Sequence, residues 1–417
     1  MGGFFDDLET MSRSDREAHQ SRRLAGMVRL GYERSSRIRR ILDGLGLAPS
    51  DIQTIQDLPK LPVINRERLV ELEAAEPPYG GLEDPSAPVE RIFTSPGPVY
   101  EPHLGSDDPL WARAYKAAGF GPGDIALNAF SYHMVAAGLT FHGGLNRVGA
   151  TVVPSGASTT QQQVQLIRDL KVTGYTGTPS FLMAIIDKAG ELGCDFAKDF
   201  RVRRASFAAE PLQPSLRQRF ESKFGIDTYQ MYGATEVGDV AYECSAKKGW
   251  HLCEEVVVEI VDPATGQCVK PGGLGEVVVT RLNSMFFLFR FGTGDLSSLI
   301  EEPCACGRTS YRLSGIAGRV GDAVKVRGMF VAPSQVKRVS EGFPGLVLQL
   351  VITRSGHKDI LTARLEAKAG ADEADLKTRF EKTFQEVCTV RVDRVEFVPP
   401  GSIPADAKPL VDDREWT

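Results

Sequence analysis

The sequence predicts an α/β protein, with a large N-terminal domain built on parallel and mixed sheets and a small α+β domain at the C-terminus. Three observations carry this expectation. From Gly123 onward short apolar runs alternate with amphipathic stretches, after Glu243 the runs take on an antiparallel character, and the C-terminal part sets one amphipathic helix among strands. The 417 residues exceed one ordinary core, and at about 150 residues per domain the length fits two or three units.

Residues 7 to 75 alternate helical patterns with breaks such as LGLAPSDIQTIQDLPKLP, a helical lead-in. The runs DIALNAF, ATVVPSG, VTGYTGTPS, RRASFAAEP and DTYQMYGATE then read as strands, and the stretches TTQQQVQLIRDL, SFLMAIIDKAGEL and PSLRQRFESKF as helices. This strand, helix, strand rhythm predicts a parallel sheet. Each run ends in small or polar residues, which puts loops at the carboxyl ends of the strands, where open α/β sheets bind ligands. VVVEIVDPATGQCV and GEVVVTRL, joined by Gly- and Pro-rich turns, predict a second, antiparallel sheet. The small residues of SGIAGRVGDAVKVRGMF mark a hinge or linker. Beyond it LVLQLVITR and DILTARLEA read as a strand pair, Leu376, Phe380, Phe384 and Val387 form one apolar stripe on a helix, and RVDRVEFVP reads as a last strand.

Charge narrows the function. Forty-nine basic against 54 acidic residues give a net charge of −5, with no basic block for nucleic acid and no polybasic anchor for a membrane. The N-terminus is polar and acidic where a signal peptide needs an apolar run, so a cytoplasmic location is expected. Seven cysteines, an odd number spread from Cys194 to Cys388, argue against a disulfide framework and for reduced thiols or a metal site.

Several stretches carry chemistry. In RIFTSPGPVYEP, Thr94, Ser95 and Gly97 could bring hydroxyls and an uncrowded backbone to an anion, while Pro96 and Pro98 remove N–H donors; the ordinary reading is a turn. In YQMYGATEVGDVAYEC a strand ends on Tyr232, Gly233, Ala234, Thr235 and Glu236, so that Thr235 could bond a phosphate and Glu236 could hold Mg²⁺. Asp295 of FGTGDL could accept from two ribose hydroxyls or simply close an Asx-type turn. Lys408 lies in PPGSIPADAKPLVDDRE, where a lone lysine is normally a solvated charge.

Taken in order, DLETMSR, DIQTIQDLPKLPVINRERL, AAEP, YGATE, TGDL, GRVGDAVKVRG and GSIPADAK resemble, almost end to end, the phenylacetate–coenzyme A ligase family of the adenylate-forming superfamily. The resemblance implies an ATP- and acid-binding domain over residues 1–317 and a mobile C-terminal domain over 318–417. It implies ATP-dependent ligation of an aromatic, phenylacetate- or benzoate-like acid to coenzyme A. The carboxylate attacks the α-phosphate of ATP to give an acyl-adenylate and pyrophosphate, and the coenzyme A thiol then attacks the acyl carbon and releases AMP. Such chemistry needs positioning and charge stabilisation more than a protein nucleophile.

By the same resemblance Ala209, Glu210 and Pro211 form the adenine-side loop, Tyr232 beside Gly233 stacks on the base, Glu236 binds Mg²⁺, Asp295 binds ribose, and Arg319 binds ribose or phosphate. Lys408 matches the lysine that bridges the carboxylate and the α-phosphate, a task suited to a mobile point charge. The acid slot is expected near Tyr132, His133, Met134 and Phe141 and beside Thr178, Pro179 and Ser180, although such residues are as often plain core. The partners are then a small carboxylic acid, ATP and coenzyme A, and a homodimer is compatible with the sequence.

Two departures from the family pattern stand out. The phosphate run is usually rich in Ser, Thr and Gly and closed by lysine and proline, but here it reads TSPGPVYEP, without the lysine. The usual acidic hinge residue corresponds to Gly321, with Asp322 following. Rival expectations are an adenylating enzyme that uses another acceptor, such as a carrier protein, and a nucleotide-binding homologue without turnover. Finally, Cys244, His251, Cys304 and Cys306 offer three thiolates and an imidazole, a closed tetrahedral set for structural Zn²⁺, with Cys253 as a spare; the alternative is ordinary buried thiols.

Overall fold

The structure is a computed structural model that describes residues 3–103, 110–263, 265–270, 272–273, 275–316, 318–320, 324–327, 329–331, 333–356, 358–367, 372–388, 390–404 and 406–414. The chain divides into two compact units, Met1–Val320 and Gly321–Thr417. The hinge expected at Gly321 and Asp322 lies outside the described residues.

In the first unit the five runs expected as parallel strands are the parallel half of a nine-stranded sheet. Thr151–Val153, Ile125–Asn128, Gly174–Gly177, Arg204–Phe207 and Asp227–Ala234 lie side by side in that order. The helices Ala136–Arg147, Thr160–Asp169 and Pro179–Glu191 connect them. The strands are apolar because both faces are covered: Leu127, Tyr175, Ala205 and Phe207 pack in one cluster with Leu182, Ile185 and Ile186 of helix Pro179–Glu191, and Ala126, Tyr229 and Met231 belong to a second. Gly238–Glu243, Trp250–Leu252, Arg312–Leu313 and Leu299–Ile300 extend the sheet antiparallel. PSLRQRFESKF forms only a short helix, Pro214–Gln218, followed by a π-type turn over Arg219–Lys223.

The second sheet pairs Val256–Val261 with Gly275–Arg281 and Gly275–Arg281 with Phe291–Ser297, all antiparallel, and Ile64–Asn65 joins Phe291–Ser297 in parallel. Gly318–Arg319 also pairs with Phe291–Ser297 and brings Arg319 opposite Asp295. The helical lead-in consists of Arg13–Arg34, Ser36–Leu45 and Arg66–Ala75. Ion pairs to buried arginines or a buried glutamate fasten its start to the rest of the first unit: Glu9 to Arg308 at 2.6 Å, Arg16 to Glu254 at 2.7 Å, and the half-buried Asp6 to Arg113 at 2.6 Å.

The second unit is a four-stranded sheet in the order Arg394–Phe397, Lys358–Glu366, Val347–Ser355, Leu410–Asp412, with helices Pro333–Glu341 and Glu373–Cys388. Phe380 and Phe384 are fully buried, as the stripe requires, and Leu376 and Val387 pack beside them. The strand Leu410–Asp412, absent from the sequence reading, adds in parallel to Val347–Ser355 just after Lys408. Among the described residues no helix is long and apolar enough to cross a membrane.

Candidate active site

The parallel strands end together, and the expected residues follow those ends. Strand Asp227–Ala234 runs into Thr235 and Glu236, with a register shift at Tyr232 and Gly233 against Gly238–Glu243. Only glycine fits at 233, because a Cβ there would lie 2.3 Å from the Gly238 carbonyl oxygen and 2.8 Å from the Trp111 ring. The irregularity turns the chain at the sheet end, where bulges commonly re-aim side chains.

Tyr232 is held on both sides. Its ring stacks on Trp250 with centroids 5.8 Å apart, and its hydroxyl reaches Asp295 Oδ2 at 2.9 Å and Thr293 Oγ1 at 3.2 Å. Burial pushes the phenol well above its ordinary value, so it stays protonated and donates to Asp295. Arg319 Nε lies 3.0 Å from Asp295 Oδ1, and its Nη2 donates to the Thr293 carbonyl at 3.0 Å. FGTGDL is therefore strand and not an Asx turn. Gly294 takes a φ of 73°, a left-handed conformation that lets the strand bend where Arg319 packs against it. Tyr232, Asp295 and Arg319 thus form one hydrogen-bonded group.

The stretch TSPGPVYEP is a β-hairpin, Arg91–Ser95 with Val99–His103, whose turn is Pro96, Gly97 and Pro98. Thr94 is half-buried, and its N–H donates to the Met134 carbonyl at 2.9 Å. Ser95 is buried and donates to Glu101 Oε1 at 2.6 Å. Into this corner comes Arg66, the first residue of helix Arg66–Ala75. Its Nη1 pairs with Glu236 Oε1, and its Nη2 donates to Ser95 Oγ at 2.8 Å and to the Pro96 carbonyl. Thr235 Oγ1 donates to the other Glu236 oxygen at 3.3 Å.

The sequence motifs assign no role to Arg66, Glu73 and Glu101. Glu73 Oε1 and Glu101 Oε2 are buried without a hydrogen-bond partner. Burial pushes the Glu73 carboxyl up to about 7, opposed by the Tyr100 N–H and reinforced by Glu101. Burial also raises Glu101, against the Ser95 hydroxyl and the charge of Arg66. Glu101 in the run TSPGPVYEP, which holds no lysine or arginine, was the available signal, since a carboxylate buried there calls for a cation from elsewhere.

Ala209, with φ 71°, Glu210 and Pro211 follow strand Arg204–Phe207, and Glu210 Oε2 accepts the Ser180 N–H at 3.3 Å, next to Thr178 and Pro179. Thr178 caps helix Pro179–Glu191 by accepting the Phe181 N–H, and Pro179 is its first residue, so both have a local structural task. Tyr132 hydrogen-bonds Asn128 Nδ2 at 2.8 Å and His142 Nδ1 at 3.1 Å, while His133 is exposed. Phe141 is core, stacked on Phe130 with centroids 4.5 Å apart and beside Trp111 at 4.8 Å. In the second unit, Lys408 is exposed and its carbonyl accepts from Gln349.

Cys244, His251, Cys304 and Cys306 do come together, their ligand atoms all within 4.8 Å of one another. Cys244 and Cys304 sulfurs are 3.6 Å apart and Cys306 Sγ is 3.3 Å from His251 Nε2, against the edge of about 3.7 Å expected for tetrahedral Zn–S bonds. His251 Nδ1 meets Ser310 Oγ at 3.3 Å, the outer contact that orients a ligating imidazole. Cys253 is buried outside this group. The donor set fits Zn²⁺.

The family model described as "AMP-binding enzyme" matches residues 109–286. A phenylacetate–coenzyme A ligase of Thermus thermophilus is 31% identical, covering 95% of this chain and 96% of its own. The chain belongs to the phenylacetate–coenzyme A ligase family of adenylate-forming enzymes. A second such ligase, from Aromatoleum evansii, is 32% identical over 89% of this chain and 86% of its own. Among solved structures, 2-hydroxyisobutyryl-CoA ligase bound to 2-HIB-AMP and CoA superposes with a TM-score of 0.88 at 26% identity, covering 98% of this chain and 92% of that one. A phenylacetate–coenzyme A ligase family member is an ATP-dependent, AMP-forming acid–coenzyme A ligase that works through an acyl-adenylate.

Glu73 yields a test of the buried charge. Its folded pKa is raised, so its stabilising contribution is complete below the unfolded value of 4.5 and is lost as pH rises through about 7. Glu73→Gln, which can still accept from Tyr100, should flatten the fall in unfolding free energy between acid and slightly alkaline pH by about 1–2 kcal/mol in urea titrations. An unchanged pH dependence would show that Glu73 does not titrate there.

Proposed function

We propose that this ligase activates an aromatic carboxylic acid of the phenylacetate or benzoate type, with the first unit, which extends to Val320 and so includes Arg319, binding ATP and acid and the second unit acting as a mobile domain. The observation that carries the reading is the group Tyr232, Asp295 and Arg319, with Glu236 just beyond Tyr232 at the end of strand Asp227–Ala234. The named activity of the relatives supports the acid class. Asp295 and Arg319 hold the ribose, and the loop Ala209, Glu210, Pro211 lies along the adenine. Tyr232 and Gly233 form the floor beside the base, since one face of the Tyr232 ring is already stacked on Trp250. Thr94 and Gly97 lie at the phosphate end, with Ser95 beneath them giving its proton to Glu101. Thr235 and Glu236 would hold Mg²⁺, which when bound neutralises phosphate charge. Tyr132, His133, Thr178 and Pro179 border the acid.

Lys408 brings a positive charge between the acid carboxylate and the α-phosphate, lowering the repulsion of two anions that must meet. Lys408→Ala should slow acyl-adenylate formation by about 10²- to 10³-fold and leave the unfolding midpoint nearly unchanged, because the side chain is exposed. Wild-type adenylation by that variant would remove Lys408 from the mechanism.

A second reading, a small hydroxy acid, is favoured by the likeness to 2-hydroxyisobutyryl-CoA ligase. Pyrophosphate release with ATP and Mg²⁺ should therefore be measured over benzoic, phenylacetic, 2-hydroxyisobutyric and simple aliphatic acids, with and without coenzyme A. Release with aryl acids and a thioester on adding coenzyme A is the expected result. Release confined to the hydroxy acid would replace the aromatic assignment, and release without any thioester would point to another acceptor. For the cysteine group, elemental analysis should find about one zinc per chain, and Cys306→Ser should lower both zinc content and melting temperature; metal-free protein after chelator-free purification would overturn the zinc site.

A further inference from the structure

The hairpin poses an electrostatic problem. Residues 94–102 contain no lysine or arginine, and the Ser95 hydroxyl spends its one proton on Glu101, so towards a phosphate it offers a lone pair and no donor. Arg319 is already committed to Asp295 and the Thr293 carbonyl. Arg66 is differently placed. Its Nη1 compensates Glu236, whose side chain is 3% exposed, but its Nη2 rests on two neutral oxygens, Ser95 Oγ and the Pro96 carbonyl, and the Arg66 side chain is 34% exposed.

We propose that Arg66 is the phosphate-binding cation of this enzyme, its Nη2 leaving those neutral oxygens for the β- and γ-phosphate oxygens of ATP while its Nη1 stays on Glu236 Oε1, which leaves Oε2 for Mg²⁺. The inference rests on the adenylation reading above. A guanidinium suits the task because its planar fork donates in two directions at once, and exchanging neutral acceptors for anionic ones roughly doubles the strength of each bond. Glu236 stays compensated throughout, which a lysine serving both groups would achieve less well. Glu101 sets the opposing charge, which explains why a cation must come from another element.

The test compares ATP and AMP binding by calorimetry in the presence of Mg²⁺, since AMP lacks the β- and γ-phosphates. Arg66→Gln, which removes the charge and keeps a polar side chain, should weaken ATP about tenfold and leave AMP within about twofold; Arg66→Lys should recover part of the loss. Thioester formation from preformed acyl-adenylate should be unaffected by either change. ATP affinity equal to wild type, or equal losses for ATP and AMP, would overturn the assignment. Should the glutamine variant not fold, Glu101→Gln decides: it should tighten ATP about threefold without altering AMP, and an unaltered ATP affinity would sink the proposal. Failure of the wild type to bind either nucleotide would remove the adenylation reading itself, and this inference with it.

Discussion

Buried carboxylates need cations, and the first unit is organised around meeting that need. Glu9 with Arg308, Glu254 with Arg16 and Glu236 with Arg66 each join elements far apart in the chain. A buried pair is weak evidence of net stabilisation, yet removing one partner is costly, so these contacts fix which segments must lie together. The Arg66 pair ties the helical lead-in to the hairpin and to the carboxylate at the end of a parallel strand. Beside it Glu73 and Glu101 have burial without full compensation, and both are raised above the ordinary carboxylate range.

The same constraint shapes the region around the cysteine group. The Arg308 N–H donates to Cys306 Sγ at 3.4 Å, and the Arg308 side chain pairs with Glu9 and lies over the Phe4 ring. Tyr242 donates to Glu9 as well, at 3.1 Å. The N-terminal turn is therefore packed against the strand ends that carry Cys244 and His251, and a metal held there would brace the sheet that presents Tyr232. Hydrogen bonding from Cys244 and His251 draws the Cys306 thiol well below its ordinary value, which favours the thiolate that a metal requires.

Much of the architecture was legible in the chain. Five apolar runs became five parallel strands, and the helix stripe of Phe380 and Phe384 became the core of the second unit, because periodicity reports which face is buried. The Tyr232, Asp295 and Arg319 group was legible through ordered motifs, and the four metal-type ligands through their chemistry. Other features were not. Leu410–Asp412 is too short to show alternation, and Phe141 reads equally well as pocket or core until Phe130 and Trp111 are seen on either side of it.

The sequence by itself determined the fold class and the family, and it named the side chains expected at the nucleotide site, because these depend on local periodicity and on residue types in order. Only the tertiary structure decided that TSPGPVYEP is a hairpin, that Ser95 gives its proton to Glu101, and that Arg66, 170 positions from Glu236, is its partner. Such pairings follow from how sheets and helices stack. Charge compensation acts through space, so no local pattern records it.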